Sequence, residues 1–166
     1  MLNVNLPCNM DLIGKTTIHP FIFYTGTIAG YITWIIYLLS IIDVNIIDNV
    51  TSVYQLYASY TAGIIGLELI VISSIGLGKS TRLGLPKEDT VLKTTGIYQF
   101  SRNPMYLGFY LWTIASIICT FNIYIILLRL YSICVYHMII RGEENFLEDR
   151  FGSAFIDYKK KARKYF

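Results

Sequence analysis

FIFYTGTIAGYITWIIYLLSII, residues 21–42, contains no charged side chain. At about 1.5 Å of rise per residue, a helix of that length crosses a hydrocarbon core of about 30 Å. The rest of the chain agrees with that reading: 54% of its 166 residues are hydrophobic and only 15% charged. That balance is too apolar for an ordinary soluble domain of this length. The bilayer is therefore the solvent in which the sequence has to fold.

Residues 54–78 form a second apolar stretch, broken only by Glu68, and residues 106–140 form a third, interrupted by Arg129 and His137. The third is too long for one crossing, and it divides at Thr120, Phe121 and Asn122, where two antiparallel helices can turn back on each other. The expected fold class is all-α. It is a polytopic membrane helix bundle of about four transmembrane helices over residues 21–42, 54–78, 104–119 and 123–140. Loop 79–103 and tail 141–166 lie outside the membrane, and residues 1–166 make one domain. Glu68 and Arg129 are costly in lipid and are expected to face the bundle interior.

The basic residues give an independent test, because lysine and arginine accumulate in cytoplasmic loops. Under this topology, 13 of the 14 fall on one side, and Arg129 alone lies within a span. The loops on the other side carry none. Both termini are expected in the cytoplasm, and the net charge of +3 becomes a signal of topology, which argues against a nucleic-acid partner. The first 20 residues are polar and the first apolar run exceeds a signal h-region, so span one is expected to remain in the protein. Cys8, Cys119 and Cys134 form no CxxC pair and point to neither a disulfide framework nor a metal site. Asn49 to Thr51 match the glycosylation acceptor pattern on the outer side, close to the membrane.

Chemistry is expected in the two polar stretches. Loop 79–103 carries Gly84, Pro86 and Gly96 and ends at Asn103 and Pro104. Asparagine is a preferred N-cap, and proline at the first helical position loses no hydrogen bond. Helix three thus starts at the membrane boundary beside Arg102, with its open N–H groups able to hold an anion. The tail continues span four as an amphipathic helix until Gly152 interrupts it. Phe155, Ile156, Tyr158, Tyr165 and Phe166, interleaved with basic residues, suit anionic lipid headgroups. The plainer alternative is a solvated basic tail.

Gly96-Ile97-Tyr98-Gln99-Phe100-Ser101-Arg102-Asn103-Pro104-Met105-Tyr106-Leu107-Gly108 resembles the signature G-x-Y-x-x-x-R-[HN]-P-x-Y-x-G of the integral-membrane methyltransferases. That family includes the isoprenylcysteine carboxyl methyltransferases and the phospholipid methyltransferases. Glu143, Glu144, Leu147, Phe151, Gly152, Phe155 and Tyr158 resemble its second element, E-E-x-x-L-x-x-x-F-G-x-x-[YF]-x-x-Y. Together the two cover residues 90–158, whereas residues 1–78 are similar only as generic spans.

The resemblance implies S-adenosyl-L-methionine as methyl donor and a lipid-bearing acceptor in the bilayer. By motif position it implies donor contacts at Thr90, Val91, Leu92, Lys93, Tyr98, Asn103, Pro104, Met105, Tyr106 and Glu143, with Arg141 facing the acceptor. Asn103 stands where the prenylcysteine enzymes commonly have histidine, which removes a possible base. Lys93 stands where an apolar residue is common. The implied membrane is the endoplasmic reticulum in a eukaryote, or the inner or plasma membrane in a prokaryote.

The chemistry of these side chains suits the assignment. Glu143 can accept hydrogen bonds from ribose or amine groups, and the helix start at Asn103 can receive a carboxylate. An acceptor that is already a carboxylate needs alignment and a cationic anchor more than a base. Arg102 and Arg141 are the candidates, because guanidinium binds carboxylates through paired hydrogen bonds. A lipid amine would need deprotonation, for which Glu144 is the candidate. The catalytic expectation is therefore Arg102, Arg141 and Glu144, with the α-carboxylate of a prenylated cysteine preferred over a phospholipid amine. The duller readings are interfacial anchors for both arginines, a belt position for Tyr98 and Tyr106, a solvated face for the twin acids, and simple packing for His137. A reading of another class is a four-span scaffold without catalysis. A transporter is disfavoured by the absence of repeats.

Overall fold

The computed structural model describes residues 16–42, 44, 52–78 and 91–165. Its α-helices are α1 (Pro20–Ile41), α2 (Val53–Leu77), α3 (Pro104–Thr120), α4 (Ile123–Phe151) and α5 (Ser153–Lys161). A short 3-10 turn, Gly96–Gln99, precedes α3. Among the described residues there is no strand, only an isolated bridge between Ser101 and Arg163. Three helices, α1, α2 and α4, are long and apolar enough to cross a membrane, and α3 is a shorter apolar helix of 17 residues.

The helix ends follow local chemistry. Ser52 and Gln55 open α2 with reciprocal bonds, Ser52 N–H to Gln55 Oε1 at 2.8 Å and Gln55 N–H to Ser52 Oγ at 3.3 Å, the arrangement that satisfies two otherwise unpaired donors. The α3–α4 connection turns at Phe121, with φ of 31°, and Asn122, whose side chain accepts from Tyr124 N–H at 2.9 Å. That is the interruption expected from Thr120 to Asn122. Gly152, at φ 51°, closes α4 and redirects the chain into α5; the left-handed region favours glycine there.

α2 packs chiefly on α3, and α1 on α4. Polar groups join the helices across their interfaces: Ser59 Oγ donates to the Ala115 carbonyl at 2.9 Å, Trp112 Nε1 to the Gly63 carbonyl at 2.8 Å, and Ser132 Oγ to the Gly26 carbonyl at 3.0 Å. Lipid gives apolar side chains little reason to associate, so close backbone packing and such bonds hold a membrane bundle together. Backbone meets backbone at Gly66 and Gly108, where a Cβ on Gly108 would lie 2.6 Å from the Gly66 carbonyl oxygen. On the outside, α2 leaves Ile64, Ile65, Leu67, Val71, Ile72 and Ile75 exposed.

The two ionisable span residues behave differently. Arg129 is fully buried, as expected, donating from Nη1 to the Gly30 carbonyl at 3.3 Å and lying 5.8 Å from the centre of the Trp34 ring. Its Nε and Nη2 have no hydrogen-bond partner; the π face of Trp34 is what meets the guanidinium instead. Glu68 corrects the expectation. It is exposed on α2, because the inward positions of that helix go to Ser59, Gly63, Gly66 and Ser73, which allow α3 to approach.

Candidate active site at the start of α3

The polar chemistry gathers where the α3 N-terminus meets the later turns of α4. Gly96, at φ 64°, opens the 3-10 turn that buries Tyr98. The Tyr98 phenol donates to the Ser73 carbonyl of α2 at 3.2 Å, and the Tyr158 phenol of α5 donates to the Tyr98 carbonyl at 2.5 Å. One tyrosine thereby ties the loop to two helices. Leu92 packs with Phe155, Tyr158 and Ala162, while Val91 and Lys93 are exposed. Thr90 lies outside the described residues, as do Lys79, Arg82 and Lys87 of the same loop.

Asn103 and Pro104 do begin α3, but the asparagine side chain does not cap it. Its Nδ2 donates instead to Glu144 Oε1 at 3.3 Å and to the Lys164 carbonyl at 3.2 Å. The α4 carboxylate and the Lys164 carbonyl thus hold the amide through its NH2 group. Pro104 and Met105 are buried in the first turn.

The twin acids diverge. Glu143 accepts from the Tyr106 phenol at 2.8 Å, on the inner side of α4 that also carries Tyr136, Ile139 and Ile140. Glu144 turns the other way, taking Arg102 Nε at 3.0 Å and Lys164 Nζ at 3.1 Å. Burial pushes the Glu144 carboxyl up, but the bonds and charges of Arg102 and Lys164 outweigh it and hold the group below the usual carboxylate value. Arg141, exposed, is two residues from Glu143, which on a helix is about 200° of rotation. The structure does not bring Arg141 to the Tyr106–Glu143 pair.

Sequence reasoning missed the partner that organises this region, the C-terminal strap of residues 162–165. Arg102 N–H donates to the Arg163 carbonyl at 2.8 Å, Arg102 Nη1 to the Ala162 carbonyl at 2.6 Å, and Ser101 Oγ to the Lys164 carbonyl at 3.3 Å. Backbone carbonyls carry no residue-specific signal, so only the fork of donors on Arg102 hinted at them. Tyr165 then packs on Tyr110 and bonds His137 Nδ1 through its hydroxyl at 2.7 Å. The tail aromatics are likewise a correction: Phe155 and Tyr158 are buried against Leu92, Leu147 and Phe151, since these side chains lose more water-exposed area on their own protein than on headgroups. Phe166 lies outside the described residues.

Two linked sets result. Tyr98, Tyr106 and Glu143 supply aromatic faces and one carboxylate beside the α3 start. Arg102, Asn103, Glu144 and the strap form a lattice that fixes that start. No cluster of three or more metal-ligating side chains occurs among the described residues.

The family model for phospholipid methyltransferase matches residues 54–154. The protein-S-isoprenylcysteine O-methyltransferase of Dictyostelium discoideum is 37% identical over 75 residues, covering 45% of this chain and 32% of that relative. The protein of the same name from Saccharomyces cerevisiae is 34% identical over 76 residues, again 45% of this chain and 32% of the relative. The chain thus spans about a third of the length of the curated relatives it matches.

Proposed function

The chain belongs to the phospholipid methyltransferase family, and from that membership we propose that it is an S-adenosyl-L-methionine-dependent enzyme that methylates a lipid-bearing acceptor at the cytoplasmic membrane interface. The observation that carries this reading is the 2.8 Å bond from Tyr106 to Glu143. It joins two motifs 37 residues apart into one cluster at a helix start. A methyl donor with an amino-acid end and an adenosine end needs such a mixed surface: a carboxylate for its hydroxyl or amine donors, and aromatic faces beside it.

The donor supplies an electrophilic methyl group. Glu143 and the buried Tyr98 and Tyr106 hold and orient it, and residues 91–95 contribute backbone. Arg102, Asn103 and Glu144 are positioning residues, because Arg102 Nε and Nη1, Asn103 Nδ2 and the Glu144 carboxylate bond each other and the strap. A Glu144 carboxyl held low by two cations is a poor general base near neutral pH. An acceptor that ionises by itself does not need one, which favours the α-carboxylate of a prenylated cysteine and O-methylation, in keeping with the names of the two relatives.

The second reading, N-methylation of a phospholipid amine, draws its support from the matched family description. The architecture proposed is one domain over residues 1–166 with four spans, α3 included, both termini in the cytoplasm and the tail helix at the inner surface. The membrane is the endoplasmic reticulum in a eukaryote and the inner or plasma membrane in a prokaryote. Membranes holding the protein, given donor with a labelled methyl group and either farnesylcysteine or phosphatidylethanolamine, test the choice. Label on farnesylcysteine is expected; label on the amine alone would replace the first acceptor with the second.

A further inference from the structure

α2 turns a continuous row of side chains away from the rest of the protein. Tyr57, Thr61, Ile64, Glu68, Val71 and Ile75 follow one another at alternating steps of four and three residues, and all are exposed. At about 100° per residue they keep within an arc of roughly 80°. The centre of that arc is about half a turn from Ser59, Gly63, Gly66 and Ser73, the positions that α2 buries. A repeat of this kind is the seam along which two helices wind about each other in a left-handed supercoil. From Tyr57 to Ile75 the row is about 27 Å long at 1.5 Å per residue, most of a hydrocarbon core of about 30 Å.

Glu68 stands inside this row. It is about 14 Å from the Leu77 end of α2 and about 22 Å from the Val53 end, too deep for a short acidic side chain to reach the headgroups. No hydrogen bond or ion pair reaches its carboxylate among the described residues. An acidic group in hydrocarbon without a partner is costly, so the partner has to come from outside this copy of the chain. Arg129, the basic residue within a span, is fully buried on α4 and closed to a neighbour. What a second copy offers at that depth is its own Glu68. Copies inserted with the same topology, and related by a two-fold axis along the membrane normal, bring each row against itself and set equal residues at equal depth. Two facing carboxyl groups then supply both a donor and an acceptor when one of them carries a proton. A polar residue at one core position of such a seam fixes register and oligomeric state.

We propose that α2 is the interface of a parallel homodimer in the membrane, with the row from Tyr57 to Ile75 as its seam and the two Glu68 carboxyls hydrogen-bonded across it. The seam uses the side of α2 away from α3. Ser73, whose carbonyl takes the Tyr98 phenol, is among the buried positions of the helix, so the dimer leaves the proposed donor site of each copy uncovered. A hydrogen bond between helices adds little by itself in a membrane, so the apolar row supplies the contact area and Glu68 the register. The inference is independent of which acceptor is methylated, and of catalysis altogether.

The test is resonance energy transfer between donor-labelled and acceptor-labelled full chains in phosphatidylcholine vesicles, followed as added lipid dilutes the protein, together with oxidative cross-linking of single introduced cysteines. Transfer is expected to follow a monomer–dimer equilibrium. Glu68→Leu, which suits lipid and leaves the rest of the row intact, is expected to lower the association constant roughly 3- to 20-fold, the effect of one interhelical hydrogen bond, with unchanged helical content. Glu68→Gln is expected to associate as wild type does, because an amide both donates and accepts. Ile64→Cys and Val71→Cys are each expected to give a disulfide-linked dimer beyond any that wild type forms, whereas Ile35→Cys, on the exposed face of α1, is not. Monomers at every dilution would overturn the proposal and leave the row to a different chain. Association that Glu68→Leu does not weaken, or cross-linking through Ile35→Cys in place of the α2 positions, would overturn it as well.

Discussion

The Tyr106 phenol donates to Glu143 Oε1 at 2.8 Å, so a residue of the first helical turn after Asn103 and one of twin acids on α4 form a single unit. A hydrogen bond to a charged group contributes about 1.5–3 kcal/mol. Glu143→Gln is expected to weaken binding of S-adenosylhomocysteine by roughly 10- to 100-fold, on a scale where each 1.4 kcal/mol is tenfold. Tyr106→Phe should lose less, about fivefold. Titration calorimetry on both single variants and the double variant checks the unit: the double variant should lose less than the two singles combined.

Arg102 gives Nε to Glu144 and Nη1 to the Ala162 carbonyl, which makes it the nail that holds the strap. Arg102→Gln is expected to lower stability by about 1–3 kcal/mol, less than the about 3–5 kcal/mol of breaking an isolated buried pair, because Lys164 and Asn103 still face Glu144. The strap should loosen first. Limited trypsin digestion at Lys159 to Lys164 is expected to be faster in the variant while the helices stay intact; unchanged digestion would remove Arg102 from this role.

Glu144 also sets a pH dependence. Its folded carboxyl titrates below the ordinary value of 4.5, through Arg102 and Lys164 acting against burial. A depressed acid binds fewer protons folded than unfolded, so its stabilisation is present above pH 4.5 and disappears as pH falls through the lower folded value. The melting temperature of wild type should fall across that acidic window. Glu144→Gln should start lower and show a flatter acid limb, and parallel curves for the two proteins would contradict the assignment.

At the Gly66–Gly108 crossing the nearest atom to an added Cβ is backbone, which cannot rotate aside. Gly108→Ala is expected to cost about 1–3 kcal/mol as overpacking, read as a drop in melting temperature in detergent. An unchanged melting temperature would mean that α2 and α3 are farther apart.

Arg129 makes the opposite case. It is buried with two guanidinium nitrogens that have no hydrogen-bond partner, and a buried charge without a full set of partners costs stability. Arg129→Met should hold or raise the melting temperature and leave donor binding unchanged. A large loss of either would show that the guanidinium over Trp34 does more than fill space.

The long apolar helices were legible because hydropathy and length act along the chain: residues 21–42 and Pro20–Ile41 differ by one position at each end. The Asn103–Pro104 start and the Gly152 break were legible for the same reason, being local backbone effects. The opposite directions of Glu143 and Glu144 were not. Adjacent residues on a helix point about 100° apart, and which one faces Tyr106 depends on how α4 is rotated against α3. The outward Glu68 was hidden by the same variable, since small residues on the other side of α2 decided its rotation. The strap was hidden more deeply, because its bonds to Arg102 and Asn103 use carbonyls common to every residue. Arg141, two positions from Glu143, is exposed and about 200° of helix rotation away from it.

Irradiation of the protein with methyl-labelled S-adenosyl-L-methionine, followed by peptide mapping, tests the joined donor site most directly. Label is expected in two separated regions, one containing Tyr98 or Tyr106 and the other containing Glu143, and it should be lost when S-adenosylhomocysteine competes. Label confined to one region, label elsewhere in the chain, or none above background would contradict a donor site built where α3 begins and α4 leaves its apolar stretch.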